Sequence, residues 1–276
     1  MNTLLLATAT QTERTWAGGV TIAAGSLATA ALLGWAWYEW RSKGRQLLLV
    51  LLLGSAVSFF VDPAFQRTAG IVLGAPTSAS PGVYHLLGVY EALWCLFVYP
   101  MWISFITYLG YLALEEGWHR RRFWTVFAAM SLADVVAEVP SVRFGLYTYT
   151  GQQPFRLWGF PLIWAPNYMA MGLLLGAALH FLTRAAPGWR SWLALPMVAS
   201  GYLGLCFVTG WPIVLAAHHT FGEPLVSLFG LAALAAQLAT LQLIASQLPS
   251  DGALPASTHP AGVARHAGEF TSDQAS

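Results

Sequence analysis

Long apolar runs separated by short polar stretches recur along the whole chain, several exceeding the ~18 residues that mark a helix crossing the hydrocarbon of a bilayer. Hydropathy places spans near 16–38, 46–61, 86–114, 123–140, 158–183, 191–216 and 222–247, the second and fourth being short. None shows the even alternation of a membrane barrel strand. The pattern therefore predicts an all-α, polytopic transmembrane bundle of about seven spans, a single membrane domain over residues 1–247. Residues 248–276 are rich in Ser, Ala, Gly, Pro and His and bury too little apolar surface to offset the cost of ordering, which predicts a disordered tail. No basic segment precedes a long apolar core at the start of the chain, so the first span itself is expected to direct insertion.

Composition agrees with the pattern. The 276 residues are 57% hydrophobic and 9% charged, where a soluble domain carries roughly a quarter of its residues as charges. A net charge of +1 with basic residues scattered in short loop clusters gives no footprint for nucleic acid, which is excluded as a partner. Charge does orient the bundle. Nine basic residues (Arg41, Lys43, Arg45, Arg120, Arg121, Arg122, Arg184, Arg190 and Arg265) fall on one side, against four (Arg14, Arg67, Arg143 and Arg156) on the other. Under the positive-inside rule the amino terminus is outside and the carboxyl terminus cytoplasmic, in a multi-pass protein of the cell membrane. Seven spans suggest a retinal protein, but the only lysine, Lys43, sits in a loop, so no Schiff base can form within the bundle. Cys95 and Cys206 lack the spacing of a zinc or redox motif and read as packing residues; no metal and no cofactor is expected.

The acidic residues within the spans carry the candidate chemistry, because an unpaired charge in hydrocarbon costs at least ~2.5 kcal/mol and usually faces a cavity or a partner. Asp62, Glu91, Asp134, Glu138 and Glu223 all fall at the same leaflet in an up-and-down bundle, joined by Arg143, Arg156, Asn167, His218 and His219. Asp134 and Glu138 share one helix face a turn apart, and two carboxyls so close in a low dielectric resist ionising together, as an acid and a base. The competing reading has them neutralise Arg143 and Arg156 at the bundle mouth. Glu91 reads equally as a third acid or base some five residues into its span, or as a helix-start carboxylate favoured by the dipole. Asp62, before Pro63, reads as the end of its helix. Tyr147, Tyr149, Trp158, Phe160 and Trp164 are candidates to line a pocket and stabilise a cation through their ring faces, or to form an interfacial aromatic belt. His218 and His219, adjacent on a helix, point apart and do not form a metal site.

The stretch from Ala133 to Gly151, ADVVAEVPSVRFGLYTYTG, spaces Asp134, Glu138, Arg143, Gly145, Tyr147, Tyr149 and Gly151 as A-D-x-V-x-E, four residues, R-x-G-x-Y-x-Y-x-G. It resembles the signature of the avermectin-type spirocyclase family, the AveC-like polytopic membrane proteins. DPAFQ at 62–66 and YEALWCLFVYP at 90–100 are similar, more loosely, to that family's acidic second-loop and third-span segments. At 159–164, GFPLIW replaces a Phe-Pro element followed by an acidic residue, and Asn167 stands near that place. The likeness covers residues 46–183.

The resemblance implies acid-assisted closure of a hydroxyl or alkene onto a carbonyl-derived cation in a lipophilic polyketide or terpenoid, sometimes with loss of water. On that reading Asp134, Glu138 and Glu91 are catalytic, and Arg143, Tyr147, Tyr149, Trp164 and Asn167 bind a lipophilic small molecule in contact with membrane lipid. A carotenoid hydratase is the neighbouring alternative, since such proteins also resemble this chain in a G-x-Y-x-Y segment before a proline-bearing apolar run. A transporter or lipid-binding scaffold, its charges forming a structural network, is the non-enzymatic one.

Overall fold

The computed structural model describes residues 15–185 and 192–250. Seven helices account for most of them: α1 (Thr15–Lys43), α2 (Leu47–Ala69), α3 (Cys95–Glu115), α4 (Arg120–Arg143), α5 (Trp164–Ala185), α6 (Ala194–His218) and α7 (Glu223–Ser246). At 21 to 29 residues each, they are long and apolar enough to cross a membrane. At 1.5 Å per residue they extend roughly 32–44 Å, against a hydrocarbon thickness of about 30 Å.

Successive helices run in opposite directions, so the bundle has two ends of different construction. At the turn end the connections are short: Gly44, in a left-handed conformation (φ 67°), helps turn α1 into α2, and four residues join α3 to α4. At the hairpin end the two long connections fold into a lid of strands: β1 (Ile71–Leu73), β2 (Gly82–Leu86), β3 (Val89–Ala92), β4 (Tyr147–Tyr149), β5 (Arg156–Leu157) and β6 (Phe160–Pro161). β2 and β3 form one antiparallel hairpin and β5 and β6 another. β1 pairs with β4, Ile71 opposite Tyr149, which ties the connection after α2 to the one after α4.

The centre of the bundle is the contact between α3 and α5, where glycines let the backbones approach. A Cβ on Gly110 would lie 2.5 Å from the Leu173 carbonyl oxygen, and one on Gly176 would strike the Thr107 carbonyl. α1 and α4 are the least buried helices. α1 leans on α3, with Gly25 against the Phe97 backbone and Thr29 Oγ1 donating to the Phe97 carbonyl at 2.9 Å. α4 packs on α5, and α1 and α4 make almost no contact with each other.

Three span boundaries differ from the hydropathy reading. α2 does not end at Asp62 but continues through Pro63 to Ala69. Proline removes the amide that would have bonded the Phe59 carbonyl, and the Tyr84 hydroxyl donates to that carbonyl at 2.5 Å instead. Residues 86–94 precede α3 as the β2–β3 hairpin rather than opening the span, so Glu91 lies on a strand. Leu87 and Gly88 turn this hairpin with positive φ (54° and 72°), and Arg67 Nε donates to the Leu87 carbonyl at 2.7 Å. Residues 158–163 likewise belong to the β5–β6 hairpin and the turn after it, and α5 starts only at Trp164. The chain past α7 is tied down at first: Leu248 is buried, and Arg120 donates to the carbonyls of Leu248 and Pro249. The tail expectation for 251–276 lies outside the described residues.

Candidate functional site

Below the lid, α1, α2, α3 and α4 surround a cavity of about 440 Å³, closed by Tyr168 and Met171 of α5 and Tyr202 of α6. Its walls are mostly apolar, Phe65, Val98, Met101, Trp102, Ile103 and Met171 among them, and three carboxyl groups open into it: Asp62, Asp134 and Glu138. Phenols of Tyr99, Tyr147, Tyr149, Tyr168 and Tyr202 add to the polar lining, with Gln66, Thr21 and Ser141.

On α4 the four-residue spacing brings Asp134, Ala137, Glu138 and Ser141 to one face, and all four line the cavity. Asp134 lies nine residues before the end of α4, roughly 14 Å along the axis. It is 1% exposed, and its Oδ2 has no hydrogen-bond partner. Glu138 Oε2 accepts a hydrogen bond from the Tyr147 hydroxyl and a longer one, 3.5 Å, from Tyr149. β4 makes this possible: it carries Tyr147 and Tyr149 on one side of the strand, two residues apart, and pairing with β1 holds that side over α4. Tyr149 in turn meets the Tyr168 hydroxyl at 3.1 Å. Burial and the adjacent Glu138 push both β4 phenols well above the usual tyrosine range, so they serve as donors.

On α2, Asp62 Oδ2 accepts from Gln66 Nε2 at 2.7 Å and Oδ1 from the Tyr202 hydroxyl at 3.1 Å. The same Gln66 amide donates to Glu91 Oε2 at 2.6 Å. Glu91 is wholly buried behind Gln66, outside the cavity lining, with Oε1 unpartnered. Burial, then the neighbouring Asp62, push its carboxyl up to about 10.

None of these four carboxyl groups forms an ion pair among the described residues. Neutralisation by Arg143 and Arg156 is thereby corrected. Arg143 is exposed on the last turn of α4 and lies outside the cavity lining, and Arg156 instead donates to the carbonyls of Tyr149 and Gly151.

Asp134, Glu138, Tyr147 and Tyr149 share one cavity, whereas Glu91, read from the sequence as a candidate third acid or base, and the remaining candidate residues lie outside its lining. Trp164 sits behind the wall, stacked on Tyr149 and Tyr168 with its indole donating to Gln153 Oε1 at 3.0 Å. Asn167 joins three helices, donating to the Cys206 carbonyl at 3.0 Å and accepting from Thr209 and Gln237. It is a buried cross-link of α5, α6 and α7, away from the cavity. Trp158 is exposed, as are His218, His219 and Glu223. Sequence reasoning missed Gln66, Tyr99, Tyr168 and Tyr202 and read Asp62 as a helix end. The available signal was the Asp62–Gln66 spacing, which repeats the four-residue step of Asp134–Glu138.

The cavity has a side opening. Val20, Thr21, Ala24 and Ala28 of α1 face Asp134, Ala137 and Ser141 of α4 across the gap where these helices fail to pack, with Ala24 and Ala137 exposed at its lips. The rings of Trp16 and Phe144 meet at a tilt, 4.9 Å apart, and bridge the gap near the lid.

Protein-family models, curated proteins and solved structures were all compared with the chain, and none matches it.

Proposed function

We propose that the protein is a membrane-embedded acid–base cyclase acting on a neutral, lipophilic polyketide or terpenoid, forming a ring through a cationic intermediate of the spiroketal type. One observation carries this reading: the Asp134–Glu138 pair opens into an aromatic, largely apolar cavity and forms no ion pair among the described residues. Carboxyls that only cross-linked the bundle would be expected to meet an arginine, a lysine or a full set of donors. Asp134 has no donor to support a charge on its buried oxygen and acts as the proton donor. Glu138, already accepting from two phenols, acts as the base beside it and holds the pair in register through β4.

The walls fit a cation. Tyr99, Tyr147, Tyr149, Tyr168 and Trp102 present ring faces or edges to the cavity, and restricted water protects a carbocation or oxocarbenium ion from capture. The volume lies in the range that holds a molecule of drug size. A longer substrate leaves its tail in the opening between α1 and α4. With the turn end facing the cytoplasm under the positive-inside rule, the site lies toward the outer leaflet.

The test uses the purified full chain in lipid nanodiscs and a long-chain dihydroxyketone whose hydroxyls are placed to close two six-membered rings, with product detected by mass spectrometry. Asp134→Asn and Glu138→Gln keep shape and most hydrogen bonding but remove the transferable proton, and each is expected to cut turnover by roughly 10²–10⁴-fold while the protein stays folded. Full activity in both variants would leave a transporter or scaffold as the better reading.

A further inference from the structure

The pair on α4 is not the only carboxyl centre facing the cavity. Asp62 opens into it from α2, and α2 and α4 do not pack on each other, so the two centres belong to different walls of the cavity. Their surroundings differ in kind. Asp134 has a buried oxygen with no partner, whereas both oxygens of Asp62 are engaged by donors, Gln66 Nε2 at 2.7 Å and the Tyr202 hydroxyl at 3.1 Å. A carboxyl surrounded by donors is arranged to accept a proton. Gln66 also fixes the neighbour, since its amide donates to Glu91 Oε2 at 2.6 Å. Glu91, with its carboxyl pushed up to about 10 by burial and by Asp62, keeps its proton at neutral pH, and Asp62 is the member of the two that opens into the cavity.

We propose that Asp62 is the terminating base of the cyclisation, taking the proton released by the cationic intermediate at a different wall from the acid pair. The proposal rests on the cyclase reading of the same site. For a dihydroxyketone the steps balance as follows. One hydroxyl adds to the ketone to give a hemiketal, Glu138 as base relaying the hydroxyl proton to the former carbonyl oxygen, and Asp134 gives its proton to the hemiketal hydroxyl. That C–O bond breaks, and water leaves an oxocarbenium ion. The second hydroxyl oxygen forms the new C–O bond, and its proton passes to Asp62. One water is lost overall, and water returns the proton from Asp62 to Asp134. The substrate class follows from the two walls: a neutral lipophile whose departing hydroxyl and attacking hydroxyl reach different walls of one cavity. Glu91 does not touch the substrate and is a positioning residue, acting through Gln66.

Cation formation and ring closure can be read separately when the same dihydroxyketone is incubated in isotopically labelled water. An oxocarbenium ion that fails to close is recaptured by water, so label enters the recovered ketone even where no spiroketal forms. Wild-type protein is expected to give both signals, and Asp134→Asn to lose both. Asp62→Asn is expected to keep label exchange within about threefold of wild type while spiroketal falls by roughly 10²-fold. A fall of both signals in equal proportion in Asp62→Asn would overturn the assignment. If Asp62→Asn does not fold, Tyr202→Phe takes its place: removing one donor from Asp62 should lower the ratio of spiroketal to exchanged ketone, and an unchanged ratio overturns the proposal. Wild-type protein giving neither signal above the Asp134→Asn background is a separate outcome, the failure of the cyclase reading itself.

Discussion

The two ends of the bundle bury the same chemical group in opposite ways. At the turn end Glu39 is 3% exposed, yet Lys43 Nζ stands 2.7 Å from it and Arg45 3.7 Å, with Trp35 and Tyr108 donating as well. Glu115 there meets His180 at 3.3 Å and Arg184 at 3.9 Å. At the hairpin end Asp62, Glu91, Asp134 and Glu138 have phenols and one amide for partners and no cation among the described residues. An ionised carboxylate within a bilayer is expensive in either place, but only the turn end supplies the opposite charge that offsets it. Burial alone therefore does not tell the two groups of carboxyls apart. The counter-charge does.

The sharpest way to break the contrast is to give the hairpin end what it lacks. Ser141→Lys adds an ammonium on the same α4 face, three residues after Glu138, in imitation of Glu39 and Lys43. With the pair held as a salt bridge, cyclase turnover is expected to fall by roughly 10²-fold, measured on the dihydroxyketone, while the thermal midpoint holds or rises. The reverse change at the turn end is Glu39→Gln. It leaves Lys43 and Arg45 facing a neutral amide and is expected to cost about 1–3 kcal/mol of stability in denaturant titration, with turnover unchanged.

Glu91→Gln probes the difference through pH. The Glu91 carboxyl is raised above its unfolded value, so the folded state holds a proton that the unfolded chain has lost between about pH 4.5 and about 10. Across that window wild-type stability falls as pH rises, and glutamine, which does not titrate, removes this slope. The variant is expected to gain thermal stability relative to wild type at pH 8 compared with pH 5; a gain in the other direction would show that Glu91 is ionised when folded. The smallest effect belongs to Arg143→Lys. Arg143 is exposed and pairs with neither α4 carboxyl, so turnover should stay within about twofold.

Seven apolar runs, the shared leaflet of the acids and the face joining Asp134 to Glu138 were legible in the sequence because length, hydropathy and helical spacing act locally. What was not legible depends on contacts distant in the chain. Pro63 reads as a helix end until Tyr84, from a hairpin after the helix, satisfies the carbonyl that proline strands. The run from 86 reads as a span because apolar hairpin residues resemble helical ones in hydropathy, and the Leu87–Gly88 turn only becomes apparent from backbone conformation. Glu39 was passed over at the end of its span, although it anchors the turn end. Asn167 was drawn to the site by its place near an acidic position in the resembling family, whereas its partners come from α6 and α7.

On the proposed cyclase reading, the gap between α1 and α4 also sets the units in which a lipophilic substrate is met. A molecule that arrives through an opening at the depth of the acyl chains is diluted by lipid, not by buffer. Its effective concentration is the mole fraction in the bilayer, so half-saturation belongs on a scale of substrate per lipid. Adding inert phospholipid at fixed substrate and protein should then slow turnover in proportion, and doubling the aqueous volume should leave it where it was.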